Sequence, residues 1–551
     1  MGYAHDYAAA IMQRGRVPMA PADFVPNWSD GPRKAKYYPG VDSLPLPASG
    51  YPADASLDRA FGGSGETLPG AFDLTSLSGM LLDSYGLTGR RLGVQANTDL
   101  SALPFYPLAN FSRGSASGGG LYPVSVYWVS GPRGPLAPGV HYYSTRHHTM
   151  QRLLTGDVSG EVRESLGGHG PDTDQYLVLG IKYWQNSFKY NSFSFHAVSM
   201  DLGAAVQTWR IWASARGLSV EPAMWFDEAR LQKLLGVRGE EEGVFAVVPL
   251  KWAGAPAGSA AKQSGPGPGN VSVRRHDVER SREVFTFDAL LKMQATTSAH
   301  ATERPAPGAL APAAAPPANP DLPLAPLPLA RPMPADVRTT LRRRRSSFGR
   351  FDASRPVTGE QLAACLAASS AGSRLGGDTG TGTGFDGGGV RLAKLYAFVN
   401  HVDGLEPGAY AYDPDAHELR LVKAGRPGEF LQRNYFLSNY NLEQAGAVLV
   451  PTIRTSAVLD AVGDRGYRLV NATIGAVAQS LYTACAALEL GCGVALGFDN
   501  VSYIEELGLG PVRAISAGPG QDLDTTGEAP LLIMMVGNER PAPADFRYEI
   551  A

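Results

Sequence analysis

The chain has 551 residues, of which 44% are hydrophobic and 18% are charged, so it can bury a sizeable core. Because single cores stop growing at about 250 to 300 residues, this length predicts more than one domain. The formal net charge of -3 leaves no general basic field, which argues against nucleic acid as a partner.

Cysteine usage and hydropathy bear on the compartment. The three cysteines, Cys365, Cys485 and Cys492, are too few for a disulfide framework in a chain of this size, and packing explains the last two better than metal ligation. No signal-peptide pattern and no run of about 18 apolar residues occurs. We therefore expect a soluble cytoplasmic protein.

The first stretches of the chain differ in regularity. Residues 1–70 are rich in Pro, Tyr and Asp with weak periodicity, which predicts an ordered but irregular arm. Leucines at helical spacing in residues 72–92 predict a helix. Residues 113–123, R-G-S-A-S-G-G-G-L-Y-P, form a serine- and glycine-rich loop, and a strand-like V-S-V-Y-W-V follows it.

An internal repeat organises the rest of the chain. Residues 136–156 align without gaps with residues 405–425, and each copy has Pro-Gly before two alternating segments with a polar turn between them. This pattern predicts a β-hairpin in each copy. The shared positions are Leu136/Leu405, Pro138/Pro407, Gly139/Gly408, Tyr143/Tyr412, His148/His417 and Gly156/Gly425.

The histidines of the first hairpin have two interpretations. His141, His147 and His148 resemble a metal cluster in their spacing. However, His148 has a counterpart in His417, so the hairpin turn explains it, and we predict no metal site.

The repeat continues through a buried strand, at residues 176–179 and 447–450, into a long helix in each copy. Matching helix positions are Gly203/Gly475 and Gln207/Gln479. The repeat therefore covers a whole domain, and two such domains can pack about a pseudo-two-fold axis.

Composition divides the chain further. A Pro/Ala-rich tract at residues 305–334 should be extended and semi-rigid, and residues 282–293 form one helix-like island before it. We predict an arm at residues 1–70, a first domain at 71–253, a linker at 254–335 and a second domain at 336–551.

An arginine-rich stretch opens the second domain. Residues 341–351 read L-R-R-R-R-S-S-F-G-R-F, and guanidinium forks with hydroxyl groups suit a phosphate. From these residues alone, a solvated basic run is the alternative. Its place at the start of a repeated domain favours a phosphate site, and the first copy has no equivalent cluster in residues 57–71.

These motifs together resemble tandem nitroreductase-fold proteins. The R-x-S-x-S-G-G-G-L-Y-P loop, both L-x-P-G-x-x-x-Y hairpins, F-K-Y at residues 188–190 and the arginine-serine stretch are similar to SagB/McbC/ThcOx-type dehydrogenases, which oxidise azolines in thiazole/oxazole-modified peptides. The resemblance implies an α+β fold. It also implies two tandem nitroreductase-like domains, packed as a pseudo-dimer that buries FMN at the interface.

The resemblance also implies cofactor contacts. The phosphate and ribityl contacts are Arg344, Arg345, Ser346, Ser347 and Arg350, and the opposing loop supplies Arg113, Ser115, Ser117 and Gly118. Gly497 lies in a second glycine loop that can supply backbone donors near the reactive nitrogen. Because Phe348 and Gly349 separate the hydroxyls from the last arginine, the arginine that binds the phosphate stays open. One flavin per chain is expected.

Lys189 and Tyr190 are implied to be catalytic, and only the first copy keeps this pair. Oxidation of an azoline removes a proton from one ring carbon and a hydride from its neighbour. A lysine whose pKa is lowered by burial and by like charge suits the role of base or proton relay, with Tyr190 orienting it. The alternative is a surface lysine beside a half-buried tyrosine.

Two other functions remain open. One is a general NAD(P)H-dependent nitro or quinone reductase on the same scaffold. The other is a non-catalytic peptide-binding scaffold, in which Trp28, Tyr37 and Tyr38 of the arm contact a leader peptide or a cyclodehydratase partner. The first interpretation makes a modified precursor peptide the substrate.

Overall fold

A computed structural model describes residues 2–52, 55–62, 70–95, 103–253, 271–347, 350–380, 389–510, 527–541 and 547–550. Its fold is α+β. The strands are β1 Ser43–Pro45, β2 Gly89–Gln95, β3 Leu103–Ser112, β4 Val124–Ser130, β5 Gly139–Ser144, β6 Thr149–Thr155, β7 Gln175–Lys182, β8 Glu242–Pro249, β9 Leu324–Pro326, β10 Val357–Thr358, β11 Ala393–Val399, β12 Val402–Asp403, β13 Gly408–Asp413, β14 Glu418–Ala424, β15 Ala447–Ile453, β16 Gly491–Ala495, β17 Ala529–Pro530, β18 Ile533–Gly537 and β19 Arg547–Glu549.

Along the sequence, most of the α-helices alternate with strands in each half. They are α1 Tyr3–Gln13, α2 Leu57–Phe61, α3 Leu74–Ser84, α4 Ser159–Ser165, α5 Trp184–Tyr190, α6 Ser194–Ser214, α7 Glu228–Leu235, α8 Asp288–Ala299, α9 Val337–Arg343, α10 Gly359–Ala371, α11 Gly428–Arg433, α12 Thr455–Val462, α13 Gly466–Ala487 and α14 Asn500–Leu507.

The first half contains an antiparallel sheet in the order β1-β6-β5-β4-β7-β8. Strand β4 is buried along its whole length because both faces of the sheet are covered. Its successive residues Tyr127 and Trp128 are fully buried in different apolar clusters, as the alternation of side chains along a strand requires. The predicted V-S-V-Y-W-V strand is confirmed as β4.

The second half contains a matching sheet in the order β16-β18-β15-β11-β13-β14-β9, with β17 pairing β15. The two predicted hairpins are confirmed as β5–β6 and β13–β14. In each turn the histidine has a positive φ, 49° at His148 and 51° at His417. The Tyr143 hydroxyl lies 2.9 Å from Nδ1 of His148, and the Tyr412 hydroxyl lies 2.8 Å from Nδ1 of His417.

Helices α6 and α13 cross at the centre of the molecule, and nearly all their residues are buried. A Cβ added to Gly203 would lie 1.8 Å from the carbonyl oxygen of Ala472, and one added to Gly475 would lie 1.9 Å from that of Met200. Each contact becomes the other when equivalent positions of the two copies are exchanged. This reciprocity is what a pseudo-two-fold axis between the helices requires.

The arm contains a helix that the sequence interpretation missed. Helix α1 presents Ala4, Tyr7, Ile11 and Met12 to the core, at the spacing of one helix face. The prediction of an irregular arm is therefore wrong for this segment. The high Pro and Asp content of the residues that follow concealed its short apolar stripe.

The linker is more ordered than its composition indicates. Of its residues, 254–270 lie outside the described ranges. Helix α8 begins at Asp288, six residues after the start of the predicted island, and its Gln294 donates to Glu228 of the first half at 2.8 Å. Strand β9 then pairs with β14 at the edge of the second sheet, so the linker packs against both halves.

Across the described ranges, no helix combines the length and the apolar character that crossing a membrane requires.

Candidate active site

The serine- and glycine-rich loop, residues 113–120, joins β3 to β4. Its first residue, Arg113, is 3% exposed, and its guanidinium carbon lies 4.7 Å from the ring centroid of Tyr85 and 4.1 Å from that of Tyr122. Nη2 of Arg113 donates to the carbonyl of Lys34 in the arm at 3.1 Å. The loop therefore begins in a fixed, aromatic-lined position.

Helix α6 holds the middle of this loop. The Ser115 hydroxyl donates to Oγ1 of Thr208 at 2.8 Å. The Asp201 carboxylate accepts from the Ser117 hydroxyl and from the Gly118 amide, each at 2.7 Å. Burial raises the pKa of Asp201 to about 7, and both hydrogen bonds oppose that rise.

The second half holds the loop from the other side. Arg344 donates through Nε to the carbonyl of Gly114 at 2.8 Å and through Nη2 to that of Arg113 at 3.0 Å. The Ala116 amide donates to Oε1 of Gln479 at 2.8 Å. The structure thus brings the predicted arginine-serine stretch and the predicted opposing loop into direct contact across the two halves.

The predicted catalytic pair lies at the apex of the same loop. A Cβ placed on Gly119 would be 2.8 Å from the Tyr190 hydroxyl and 3.0 Å from Nζ of Lys189, so only glycine leaves room for both groups. Helix α5 ends at Tyr190, where Asn191 takes a φ of 41°. Gly119 is exposed and both side chains are half-buried, so a ligand can reach them.

Electrostatics at this apex favour a neutral amine. Burial lowers the pKa of Lys189, whereas burial and the charge of Asp201 raise the pKa of Tyr190. The pKa of Lys34 is lowered by burial, then by the charges of Arg113 and Lys189. Within the described part of the chain, no carboxylate pairs with Lys34 or Lys189, so no ion pair opposes the lowering of either pKa.

The other arginines of the stretch are engaged elsewhere. Arg345 forms an ion pair with Glu539, and Arg350 donates through Nη2 to the carbonyl of Arg540 at 2.8 Å. Phe348 and Gly349, which separate Arg350 from the hydroxyls, lie outside the described residues. Arg345 and Arg350 therefore lie near the end of β18, while Arg344 reaches the first half.

The two hydroxyls of the stretch differ in their partners. Ser346 Oγ lies 2.8 Å from the Tyr482 hydroxyl of α13. The Ser347 amide donates to the Cys492 carbonyl at 2.8 Å. Its side-chain Oγ is buried, and none of the described residues offers it a hydrogen-bond partner.

Gly497 lies in the turn after β16. Its carbonyl accepts from the Phe436 amide at 2.8 Å, and a Cβ built on it would lie 3.3 Å from Cγ of Leu437. The next residue, Phe498, has its ring 6.0 Å from the guanidinium carbon of Arg14, which lies 4.7 Å from the ring of Phe193. Gly497 is thus connected to the segment after Tyr190 indirectly, through Arg14 of the arm. Among the described contacts, none joins Gly497 directly to the serine- and glycine-rich loop.

These groups fit a flavin phosphate and ring. Ser347 Oγ has no partner in the described structure, and the same holds for Nε of Arg113, so both can serve a ligand. The backbone donors are fewer than the sequence implies, because the amides of Ala116 and Gly118 bond to Gln479 and Asp201 instead. FMN would therefore be held through side chains of the stretch, with small residues of the loop against its ring.

Sequence reasoning missed three residues of this site. Asp201 is an acidic residue on an otherwise apolar, buried helix face, and that is a signal that could have identified it. Gln479 was noted as a repeat position without a role. Nothing in the sequence around Arg14 indicates a role, because its burial depends on the packing of the arm. That burial lowers the pKa of Arg14 to about 10.

Comparisons with known proteins agree with this architecture. The sequence model of the Nitroreductase family matches residues 341–518. A crystal structure of a candidate nitroreductase from Anabaena variabilis superposes with a TM-score of 0.69 at 20% identity, covering 98% of this chain and 100% of that one. The chain therefore has the nitroreductase fold over both halves.

Two further likenesses are more limited. A candidate nitroreductase of Methanocaldococcus jannaschii is 31% identical over 108 residues, which are 19% of this chain and 54% of the relative, so the chain spans about half of that protein's length. A chain of the Escherichia coli microcin synthetase McbBCD, solved with truncated pro-MccB17 bound, aligns at 17% identity over 36% of this chain and 70% of that one. Its TM-score of 0.27 carries no argument.

Proposed function

We propose that this nitroreductase-fold chain is an FMN-dependent dehydrogenase that oxidises thiazoline or oxazoline rings in a ribosomally made peptide. The observation that supports it best is the contact of Lys189 and Tyr190 with Gly119, at the apex of a loop that Arg344 holds from the other half. A base beside a flavin-binding loop suits a substrate that must lose a proton together with a hydride.

The chemistry divides between the cofactor and the chain. Bound FMN would supply a two-electron acceptor for the hydride, with oxygen as its final oxidant. Neutral Lys189 takes the proton from the adjacent ring carbon, and the ring gains its double bond. Tyr190 holds the amine, whose Nζ lies 4.9 Å from the tyrosine ring centroid.

The distribution of these groups between the two halves also supports one cofactor per chain. Ser347 Oγ is suited to the phosphate, and only the second half carries this stretch. The Lys-Tyr pair occurs only in the first half, and the second copy has Ala461 and Val462 at the matching positions on helix α12. A single composite site therefore draws its binding groups from one half and its proton acceptor from the other.

The test uses purified full-length protein and a synthetic thiazoline-containing peptide. We expect a yellow protein with one flavin per chain and a product that has lost two hydrogens, measured by absorption and mass spectrometry. Lys189→Ala should keep its flavin and lose turnover. Colourless protein that cannot be reconstituted with FMN would contradict the proposal, as would two flavins per chain.

The second Lys-Tyr pair of the chain provides a matched control. Lys182 forms ion pairs with Asp277 and Glu279, and Tyr183 is buried. Lys182→Ala should therefore lower stability but leave turnover per bound flavin unchanged. Reduction of the flavin by NADPH within seconds would instead favour a general reductase, and stable peptide binding without flavin would favour a scaffold.

A further inference from the structure

Asp201 is an unusual residue for its position. It is 6% exposed in the buried helix α6, and it makes no ion pair in the part of the chain that the structure describes. Burying an unpaired carboxylate costs free energy of folding. A carboxylate retained in such a position calls for a role that offsets this cost.

Its hydrogen bonds identify that role. The carboxylate accepts from the Ser117 hydroxyl and the Gly118 amide, each at 2.7 Å, while Ser117 Oγ accepts from the Tyr122 amide at 2.8 Å. Asp201 therefore holds the start of the short turn that carries Gly119 directly, and it holds the end of the turn at Tyr122 through the Ser117 hydroxyl. The turn cannot shift unless a buried donor loses its acceptor.

The second copy provides an internal comparison. Since Gly203 is equivalent to Gly475, Asp201 is equivalent to Thr473, whose hydroxyl bonds to the Leu469 carbonyl within its own helix. The acidic residue thus occurs only in the copy that keeps the Lys-Tyr pair. If the packing of α6 against α13 itself required an acidic residue at this position, both copies would carry one.

We propose that Asp201 is a positioning residue that fixes Ser117 and Gly118 so that Gly119 is held against Lys189 and Tyr190. The inference rests on the proposed function, in which that pair performs the proton transfer. Asp201 acts through the loop. Removing it should displace the loop apex from the pair without removing any group that reacts.

Hydrogen exchange of the apoprotein tests the loop without any activity measurement. In Asp201→Ala, amides of residues 113–122 should exchange faster than in the parent protein, as followed by mass spectrometry of peptides from this segment. Asp201→Asn should restore most of the protection, because its amide oxygen still accepts from Gly118. Unchanged exchange in Asp201→Ala would overturn the proposal.

Kinetics then test the consequence for the reaction. Asp201→Ala should lower kcat about 100-fold with little change in KM, as expected when reacting groups are displaced by about 1 Å. Asp201→Asn should recover most of this loss. Ser117→Ala, which leaves the carboxylate in place, should also lower kcat and should make the further effect of Asp201→Ala smaller than its effect in the parent protein.

Asp378 is the matched control, because its buried carboxylate accepts from the Met224 and Trp225 amides at 2.9 Å, away from the loop. Asp378→Ala should leave exchange of residues 113–122 and kcat unchanged, and equal losses in both alanine variants would overturn the positioning role. A parent protein without flavin or turnover would contradict only the proposed function, since the exchange experiment uses apoprotein.

Discussion

Gly203 of helix α6 lies directly against the backbone of Ala472 in helix α13, with no space for a methyl group between them. Gly203→Ala should destabilise the protein by about 3 kcal/mol, because the helices must separate to admit the Cβ. The sign is informative, since alanine normally stabilises a helix relative to glycine by about 0.5 to 1 kcal/mol. Urea unfolding of apoprotein measures the change.

Gly160 in helix α4 is the control for this substitution, because no atom lies within 4 Å of a Cβ built there. Gly160→Ala should be neutral or slightly stabilising. If Gly203→Ala were equally well tolerated, the helices would not be in the close contact described.

The pH dependence of turnover should report Lys189. Burial lowers its pKa from the ordinary lysine value of 10.5, and the neutral amine is the form that accepts a proton. The value of kcat/KM should therefore rise with pH and level off below pH 10.5. Lys189→Arg, which stays charged, should abolish turnover while flavin remains bound. A flat profile from acid to alkaline pH would remove Lys189 as the base.

Ser347→Ala separates cofactor binding from stability. Because Ser347 Oγ has no partner among the described residues, its removal should leave the unfolding free energy of the apoprotein nearly unchanged. Affinity for FMN should fall about tenfold through loss of a hydrogen bond to a charged phosphate. Flavin fluorescence titration should show no loss with riboflavin, which lacks the phosphate; an equal loss with both ligands would place Ser347 elsewhere.

His141 should make the protein sensitive to acid. It is fully buried beside Trp128, and burial lowers its pKa to about 4. The unfolded chain takes up a proton near pH 6.5 and the folded chain does not, so stability falls as pH drops below 6.5, by about 2 kcal/mol at pH 5.

His141→Phe should remove that part of the pH dependence, as measured by urea unfolding at pH 7 and pH 5. His169, which is exposed, provides the control: His169→Gln should keep the dependence of the parent protein. An unchanged pH dependence in His141→Phe would show that His141 is protonated in the folded state.

Local features of this fold were predictable from the sequence. Turn chemistry fixed both hairpins, because Pro-Gly, tyrosine and histidine recur at the same spacing and form the same hydrogen bond in each copy. The sequence repeat also aligns Gly203 with Gly475, and the structure gives these two glycines reciprocal contacts. Such features depend on residues close in sequence or on the comparison of two copies.

The site itself was only partly predictable. The stretch of arginines indicated an anion site, but the engagement of Arg345 depends on Glu539, which is 194 positions away. Arg344 was expected to bind phosphate, whereas its guanidinium bonds to loop carbonyls of the other half. Sequence spacing gives the donor types, and only tertiary packing decides which donors are already used.

Helix α1 and strand β19 have a consequence for the order of folding during synthesis. His5 and Arg14 of α1 bond to Asp460 and Asn500 at 3.0 Å, and β19 pairs with β2 of the first half. A chain emerging from the ribosome must hold α1 without these partners until synthesis has passed Asn500. The first half should therefore remain open on the ribosome and close only when the second half arrives.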